Sequence, residues 1–451
     1  MLISVNSEKE PYPVAPIGAA YVAEALRERG HEVCILDLCF AESDDMALTE
    51  SLKVNNPDVV GISLRNVDNL SYPKSVFYLP RVKNVVAFVK GKTSAPTVIG
   101  GSGFSLFPEE VLCYLNLEMG IIGEGEDAFA HLVDMLSEGG PLDEIQNLCR
   151  FINGKFSINS LRRCPVRYTP DRSLLDNRKY LEYGGMANIQ SKRGCPFTCA
   201  YCTYPNIEGR SVRLREPLAV VDELKEMRSR YGLDYVFFVD DIFNFPEDHA
   251  LLICEEMIRN EVRVEWTCFA TPKGMSRDLA VFMKQAGCRG VEFGSDAGAE
   301  RTLRGLGKHF TPDDIAHATE LCQAVELPNA HYILIGGPGE NTATFTETTT
   351  FFDILEPTAV IALIGVRIYP NTQLHDRAVE EGIIAEGSSL LEPLFYLSPE
   401  LDPDTLVRLV ADHASKHRNW IVPGLGIRCD AALLSKLRKM GIRGPLWDLL
   451  P

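Results

Sequence analysis

The chain has 451 residues, 45% of them hydrophobic, and its 45 Lys and Arg against 62 Asp and Glu give a formal charge of −17. That length suits two domains and a tail at about 100–200 residues per domain, and the composition excludes wholesale disorder. The acidic balance argues against a nucleic-acid polyanion as the main partner. No apolar run approaches the roughly 18–20 residues of a membrane span, and the opening MLISVNSEKEPYP lacks the pattern of a signal peptide, so a cytoplasmic protein is expected. Of its 13 cysteines only three are tightly clustered, and most of the rest are expected to be buried free thiols.

Over the first 140 residues, Leu2–Val5, Val33–Leu36, Val59–Leu64, Thr97–Gly101 and Gly120–Gly123 read as strands. Pro16–Arg29, Met46–Val54, Val82–Lys90, Pro108–Leu115 and Asp127–Ser137 read as the helices between them. Continuous apolar strands separated by helices predict a parallel sheet covered on both faces. Residues 1–140 are therefore expected to form a doubly wound, Rossmann-like α/β domain whose ligand lies beyond the carboxyl ends of the strands. Residues 141–185 are more weakly periodic and read as a linker with some structure.

A second βα series starts at Met186. Its strands are Met186–Ser191, Tyr235–Asp240, Val264–Ala270, Gly290–Gly294, His331–Gly336 and Val360–Tyr369, with helices near 216–230, 247–260, 277–286, 312–325 and 342–355. The series predicts a partial (β/α)6 TIM-type barrel over 186–380, with chemistry at the C-terminal strand ends. Residues 381–451, with Pro393, Pro399, Pro403 and Pro423, read as a small, mostly helical C-terminal domain.

Directly after the first barrel strand comes Ser-Lys-Arg-Gly-Cys195-Pro-Phe-Thr-Cys199-Ala-Tyr-Cys202, with C-x3-C-x2-C spacing. Three thiolates on one short loop can hold three corners of an iron–sulfur cubane. With no fourth cysteine nearby, one iron keeps an open position that an amino and carboxylate pair could fill. A zinc site would need a fourth ligand from afar.

On this motif the chain resembles the radical S-adenosylmethionine (SAM) superfamily, whose signature is C-x3-C-x-aromatic-C, over about residues 186–380; Tyr201 stands at the aromatic position. The resemblance implies a 4Fe–4S cluster on Cys195, Cys199 and Cys202. It also implies SAM chelated at the open iron and cleaved reductively to a 5′-deoxyadenosyl radical. Carried onto the strand ends, it implies Asp240 or Asp241 for the methionine ammonium, although either also suits a helix N-cap. It implies Glu292 and Ser295 for the ribose hydroxyls and carboxylate. Arg367 would pair with a carboxylate of cofactor or substrate, or else form a buried structural pair. The Gly336-Gly337-Pro338-Gly339 turn permits close approach of a flat base.

In the first domain, glycines gather at strand ends: Pro16-Ile17-Gly18, Ser63-Leu64-Arg65 following Gly61, Gly100-Gly101-Ser102-Gly103, and Gly123-Glu124-Gly125-Glu126. No G-x-G-x-x-G opens a helix after the first strand, which disfavours a dinucleotide. This half resembles the cobalamin-binding domain fused to radical SAM enzymes. The resemblance implies cobalamin held by Pro16, Gly18, Ser63, Leu64, Arg65, Gly100, Gly101, Ser102, Gly123, Glu124 and Gly125. The D-x-H-x-x-G motif that supplies a histidine to cobalt elsewhere is absent, and His31 is a poor substitute. Arg65 is placed to lie near the cofactor's face.

The two resemblances together imply a cobalamin-dependent radical SAM methyltransferase acting on an unactivated carbon of a small molecule, lipid or peptide. An electron donor such as flavodoxin or ferredoxin would serve it. Ring formation, rearrangement or oxidation without methyl transfer is an alternative, and a non-catalytic corrinoid or cluster carrier is a second. Tyr204, Asn244, Trp266, Cys268, Tyr332 and Tyr369 lie near barrel strand ends as candidates for a substrate pocket. The stretch Leu391–Tyr396 reads as reaching over the site or docking the C-terminal residues.

Overall fold

The computed structural model describes residues 1–449. Strands β1 (Leu2–Ser4), β2 (Ile35–Asp37), β3 (Val60–Ser63), β4 (Thr97–Gly100) and β5 (Met119–Ile121) run parallel in the order β2-β1-β3-β4-β5. The chain reverses its direction of winding between β1 and β3, so a crevice opens there beyond the strand ends. Two further strands, β6 (Leu148–Ile152) and β7 (Lys155–Ile158), extend this sheet antiparallel past β5. Their connection is the two-residue turn Asn153-Gly154, both at positive φ, the pairing that a tight hairpin favours. Part of the stretch read as a linker is thus the edge of the first sheet.

The second sheet is built from β8 (Ala187–Ile189), then a small ribbon of β9 (Lys192–Arg193) and β10 (Arg213–Leu214), then β11 (Tyr235–Phe238), β12 (Glu265–Ala270), β13 (Cys288–Asp296), β14 (Asn329–Ile335) and β15 (Ala359–Ile364). A second ribbon, β16 (Val366–Arg367) with β17 (Phe395–Tyr396), follows, and β18 (Trp420–Ile421) comes last. The large sheet is parallel throughout, in the order β8-β11-β12-β13-β14-β15-β18. The expected six barrel strands are all present. The seventh comes from the C-terminal residues, which also carry the helices Pro403–Lys416 and Ala431–Lys439. Leu406, Val410, Ala414 and Trp420 pack into one core with Ile333, Phe352 and Val360, so this segment shares the barrel's core.

Period-two alternation sorts the barrel residues. Val236, Phe238, Trp266, Cys268, Val291 and Phe293 face outward, packed on Val220, Leu224, Ile253, Met257 and Met283 of the helix layer. The alternate positions, Tyr235, Phe237, Phe269, Glu292 and Tyr332, therefore face the barrel interior. Trp447 closes the lower end: it lies over Gly290, where a Cβ would come within 2.7 Å of its ring, and donates to Glu292 through Nε1 at 2.9 Å.

The first domain and the barrel share a core. Ile62, Leu64, Val67, Phe104 and Phe107 of the former cluster with Leu306, Val366, Ile368 and Leu374 of the latter. Inside it Arg367 Nε donates to Asp68 Oδ2 at 3.0 Å, its Nη1 to the Ile368 carbonyl and its Nη2 to the Leu390 carbonyl. A second buried knot, Arg172–Glu223–Arg215, has both ion pairs at 2.7 Å and side chains at most 3% exposed. Arg172 also donates to the Asn188 carbonyl, and Asn188 to the Ala15 carbonyl of the first domain.

Removing one member of such a knot leaves buried charge without its partner. Glu223→Ala is expected to cost about 3–5 kcal/mol, read as a lower midpoint in equilibrium denaturation. Arg178→Ala, which breaks an exposed i,i+4 pair with Glu182, is expected to cost under about 0.5 kcal/mol.

Candidate active site

The cysteine loop is held from every side. Asp240, at the end of β11, accepts from the Ser191 and Lys192 backbone N–H groups at 2.6 and 3.2 Å and from the Ser191 hydroxyl. Both of its oxygens are therefore engaged in steering the chain out of β8. This corrects its expected place on a SAM ammonium. Gly194 has φ +90°, and a Cβ there would strike the Ser211 carbonyl, so the turn into Cys195 needs glycine. Glu208 accepts from the Gly194 N–H at 2.9 Å, and the Cys195 N–H donates to the Gly209 carbonyl. Ala200 donates to Leu306 O and accepts from Leu374 N, each at 2.8 Å. Phe197 stacks on His309 at 3.7 Å.

Cys195 is buried, and Cys199 and Cys202 are half-buried. Burial pushes Cys195 up to about 11 and Cys202 up to about 12, and raises Cys199 as well. Metal must therefore displace protons to bind. A single zinc with Zn–S near 2.3 Å would hold sulfurs about 3.8 Å apart. Among the described residues the one group whose donor atoms all lie within 4.8 Å of one another does not include these cysteines. At least one pair of the three sulfurs is therefore set wider than 4.8 Å, more than a single zinc would hold.

Next to the loop, Asp241 Oδ2 is buried and has no hydrogen-bond partner among the described residues. Burial, reinforced by Glu208 and Asp240 and opposed by Lys192, pushes this carboxyl up to about 9. A buried acceptor with nothing to accept fits an ammonium such as that of SAM. On the loop's other side the Tyr201 hydroxyl donates to Asp296 Oδ2 at 2.6 Å, and Lys308 Nζ lies 2.7 Å from the same oxygen. Burial works against the Lys308 charge, but Asp296 and Cys199 outweigh it and hold the amine above the ordinary lysine value.

Sequence reasoning missed Asp296 and Lys308. Alternation did not mark Asp296, because β13 is irregular between Gly294 and Asp296, where Asp296 takes φ +63°. Ser295 is corrected: it points to the helix layer, its Oγ 2.7 Å from His331 Nδ1, with His331 Nε2 3.1 Å from Thr319 Oγ1. Arg367 is corrected too, because all three of its guanidinium nitrogens are engaged by Asp68 and backbone carbonyls within the shared core. Glu292 lies deeper than a strand end, beside Tyr332 and over Trp447, and burial pushes it up to about 7.

Of the pocket candidates, Tyr332 faces the interior and Tyr204 the space between the domains. Trp266 and Cys268 belong to the outer core, Asn244 pairs with the Thr271 backbone, and Tyr369 packs on Arg367. Leu391 and Tyr396 sit in the shared core and so dock the C-terminal residues.

The first domain's rim faces this mouth across a cavity of about 330 Å³. Pro16, Gly18, Ser63, Arg65, Gly100, Gly101, Ser102, Gly123, Glu124 and Gly125 line it, as do Asn188, Gln190, Tyr204 and Val239 from the barrel. A Cβ on Gly18 would meet nothing within 4 Å, so glycine there keeps the crevice open. Gly101 has φ +104°, and a Cβ would come within 2.5 Å of the Leu64 carbonyl. An open, glycine-walled slot fits a broad ligand such as cobalamin.

Two of the expected contacts are corrected. Leu64 is 1% exposed in the shared core, and the Glu124 carboxylate, though it lines the cavity, is occupied by Arg213, Arg193 and the Cys164 N–H. Arg65 makes no side-chain hydrogen bond or ion pair among the described residues and is exposed toward the gap. His31 pairs with Asp134 at 2.8 Å, at the opposite end of the sheet.

Residues 189–352 match the radical SAM superfamily, and residues 3–133 match the B12 binding domain. A protein of Pyrococcus horikoshii named as an uncharacterized methyltransferase is 27% identical over 381 residues, covering 82% of this chain and 79% of its own. The tryptophan 2-C-methyltransferase of Streptomyces laurentii is 24% identical over 447 residues, covering 84% and 74%. In fold, the chain is similar to the radical SAM methyltransferase TsrM of Kitasatospora setae, solved with cobalamin and a 4Fe–4S cluster bound. The TM-score is 0.88 at 24% identity, over 99% of this chain and 96% of that one.

Glu292 sets a sign for pH dependence. Its folded value of about 7 exceeds the ordinary 4.5, so the folded chain keeps a proton that the unfolded chain releases in that interval. The stability tied to that proton is full below about 4.5 and is lost as pH rises through about 7. Thermal unfolding of cofactor-free protein from about pH 5 to pH 8 is expected to decline less steeply in Glu292→Gln than in the unsubstituted chain. Equal slopes would show that Glu292 is already ionised in the folded state at the acid end.

Proposed function

Because the chain belongs to the cobalamin-dependent radical SAM enzymes, with its B12-binding domain at the N-terminal end, we propose that it transfers a methyl group from SAM, by way of cobalamin, to an unactivated carbon of a small molecule held inside the barrel. One observation carries the reading. The glycine rim of the first domain and the residues just after Cys202 line a single cavity, which puts the two cofactor surfaces against each other. When bound, the cluster, SAM and cobalamin supply an open iron, a methyl donor and a methyl carrier; the protein supplies position and exclusion of water.

Cys195, Cys199 and Cys202 hold the cluster. Asp241 would receive the ammonium of SAM, giving up its own proton to solvent. Tyr201, fixed by Asp296 and Lys308, holds the loop's outer wall. Gly18, Gly100, Gly101, Gly123 and Gly125 admit the corrin and its tail, with Ser63 and Ser102 as hydroxyls on the rim. Arg65 extends toward the corrin from the first domain. Phe237, Phe269 and Tyr332 are in successive edge contact, with ring centroids 4.8 and 5.9 Å apart. With Tyr12 they form an aromatic wall above Glu292, which suits a flat, partly apolar substrate able to offer one polar group to a carboxyl. A small reductant protein such as flavodoxin or ferredoxin would deliver the electron.

Anaerobically reconstituted protein with cobalamin, methyl-deuterated SAM and a strong reductant is expected to form S-adenosylhomocysteine and to label its substrate by one methyl group. Cys202→Ala is expected to lose most of the iron and all turnover. Asp241→Asn is expected to keep iron and cobalamin but to bind SAM at least about 10-fold more weakly, the loss of one charge-assisted hydrogen bond. A product of unchanged carbon count, formed with 5′-deoxyadenosine alone, would replace methyl transfer with ring formation, rearrangement or oxidation.

A further inference from the structure

Far from the cysteine loop in sequence, three nitrogen and oxygen donors converge in the outer helix layer. Asp353 lies on the helix Thr342–Leu355, His413 on the helix Pro403–Lys416, and His417 caps the latter. Asp353 Oδ1 is 2.9 Å from His417 Nδ1 and 3.3 Å from His413 Nε2, and all three atoms lie within 4.8 Å of one another. An ion bound at about 2.0–2.1 Å in tetrahedral geometry sets its ligands about 3.3–3.4 Å apart, which the His413 separation of 3.3 Å matches and the His417 separation of 2.9 Å reaches with a small opening. The histidines are i,i+4, the helical spacing that turns two imidazoles to one side.

An ordinary histidine–aspartate pair explains the cluster less well. Both imidazoles approach the same carboxylate oxygen, yet neither Asp353 Oδ1 nor His413 Nε2 makes a hydrogen bond among the described residues. The two rings are stacked at 4.1 Å and 12°, an arrangement that two protonated imidazoles would oppose; because an imidazole binds a metal in its own plane, ligation of one ion turns the more exposed His417 ring out of the stack. His413 is held edge-on to Trp420 at 4.4 Å and 72°, so its ring orientation is fixed by a fully buried neighbour. Partial exposure of the three side chains, 15–33%, leaves one face open to a water ligand.

The geometry points to a structural site for a divalent cation of the zinc class, built by Asp353, His413 and His417. It fastens the helix Pro403–Lys416 and β18 to the helix that precedes β15. The donor set is imidazole and carboxylate, which suits zinc and does not suit an iron–sulfur cluster. The ion takes no part in methyl transfer and is independent of the cysteine loop.

Holoprotein with its cluster assembled, so that the cysteines are occupied, is dialysed against zinc and washed. Metal analysis is expected to give one zinc per chain beside the iron. Absorption at the zinc edge is expected to show nitrogen and oxygen scatterers at about 2.0–2.1 Å. His417→Ala and Asp353→Asn are expected to lose that zinc with iron unchanged, and zinc is expected to raise the unfolding temperature of the unsubstituted protein but not of the variants. His417 is the more exposed histidine, so its removal spares the packing on Trp420. Sulfur scatterers at about 2.3 Å, absence of retained zinc, or equal zinc in the variants would overturn the site.

Discussion

The contact on which the rest depends is the buried pair between Arg367 and Asp68, residues 299 apart in the chain. One comes from the ribbon just past the last βα strand of the barrel, the other from the loop beyond β3. A guanidinium in an apolar core must have its donors satisfied, and here Asp68 and the carbonyls of Ile368 and Leu390 satisfy it only in one relative placement of the two domains. The apolar cluster around it is shared by both, so sliding one domain over the other would expose core and strand a charge together. Arg193 adds a second pin across the same seam, 2.6 Å from Glu126.

With the seam fixed, the carboxyl ends of two parallel sheets face each other. Each sheet alone would offer a ligand site at those ends; set opposite, they enclose one. Handing a methyl group from one cofactor to another needs contact in a dry space. Trp447 below, the shared core at one side and the cysteine loop at the mouth supply that enclosure.

Much of this was legible in the sequence because it is local. The cysteine spacing, the glycines at strand ends and the apolar runs each report on a few neighbouring residues, and β1, β3, β4 and the six barrel strands fall where those runs lie. What escaped was of two kinds. Some signals were present but short: Asn153-Gly154 marks a hairpin, yet the strands beside it are four and five residues long and partly exposed. Asp296 lies past an irregularity in β13, where counting by twos from Glu292 no longer holds. Others have no local signature. The two-residue β18 exists only because β15 offers an edge, and Arg367 cannot announce a partner in another domain. Lys308 follows a short helix rather than a strand, so no motif placed it beside the cysteines.

The polar groups then divide by whether the protein itself satisfies them. Asp240, Glu124, Arg367 and Ser295 are paired within the chain, so they build the frame, although as residue types at strand ends they had looked as suitable for ligands as any others. Among the described residues Asp241 Oδ2 and Glu292 Oε2 are buried without a well-formed hydrogen bond, and burial lifts both carboxyls toward the neutral form. A fold bears an unsatisfied buried group where something else completes it. The two lie at different depths, Asp241 beside the cluster loop and Glu292 toward the closed end. A cation beside Asp241 would restore its charge, whereas a neutral neighbour would leave Glu292 protonated and able to donate a hydrogen bond. The same burial therefore leaves the charge of each carboxyl to be set by the neighbour it lacks.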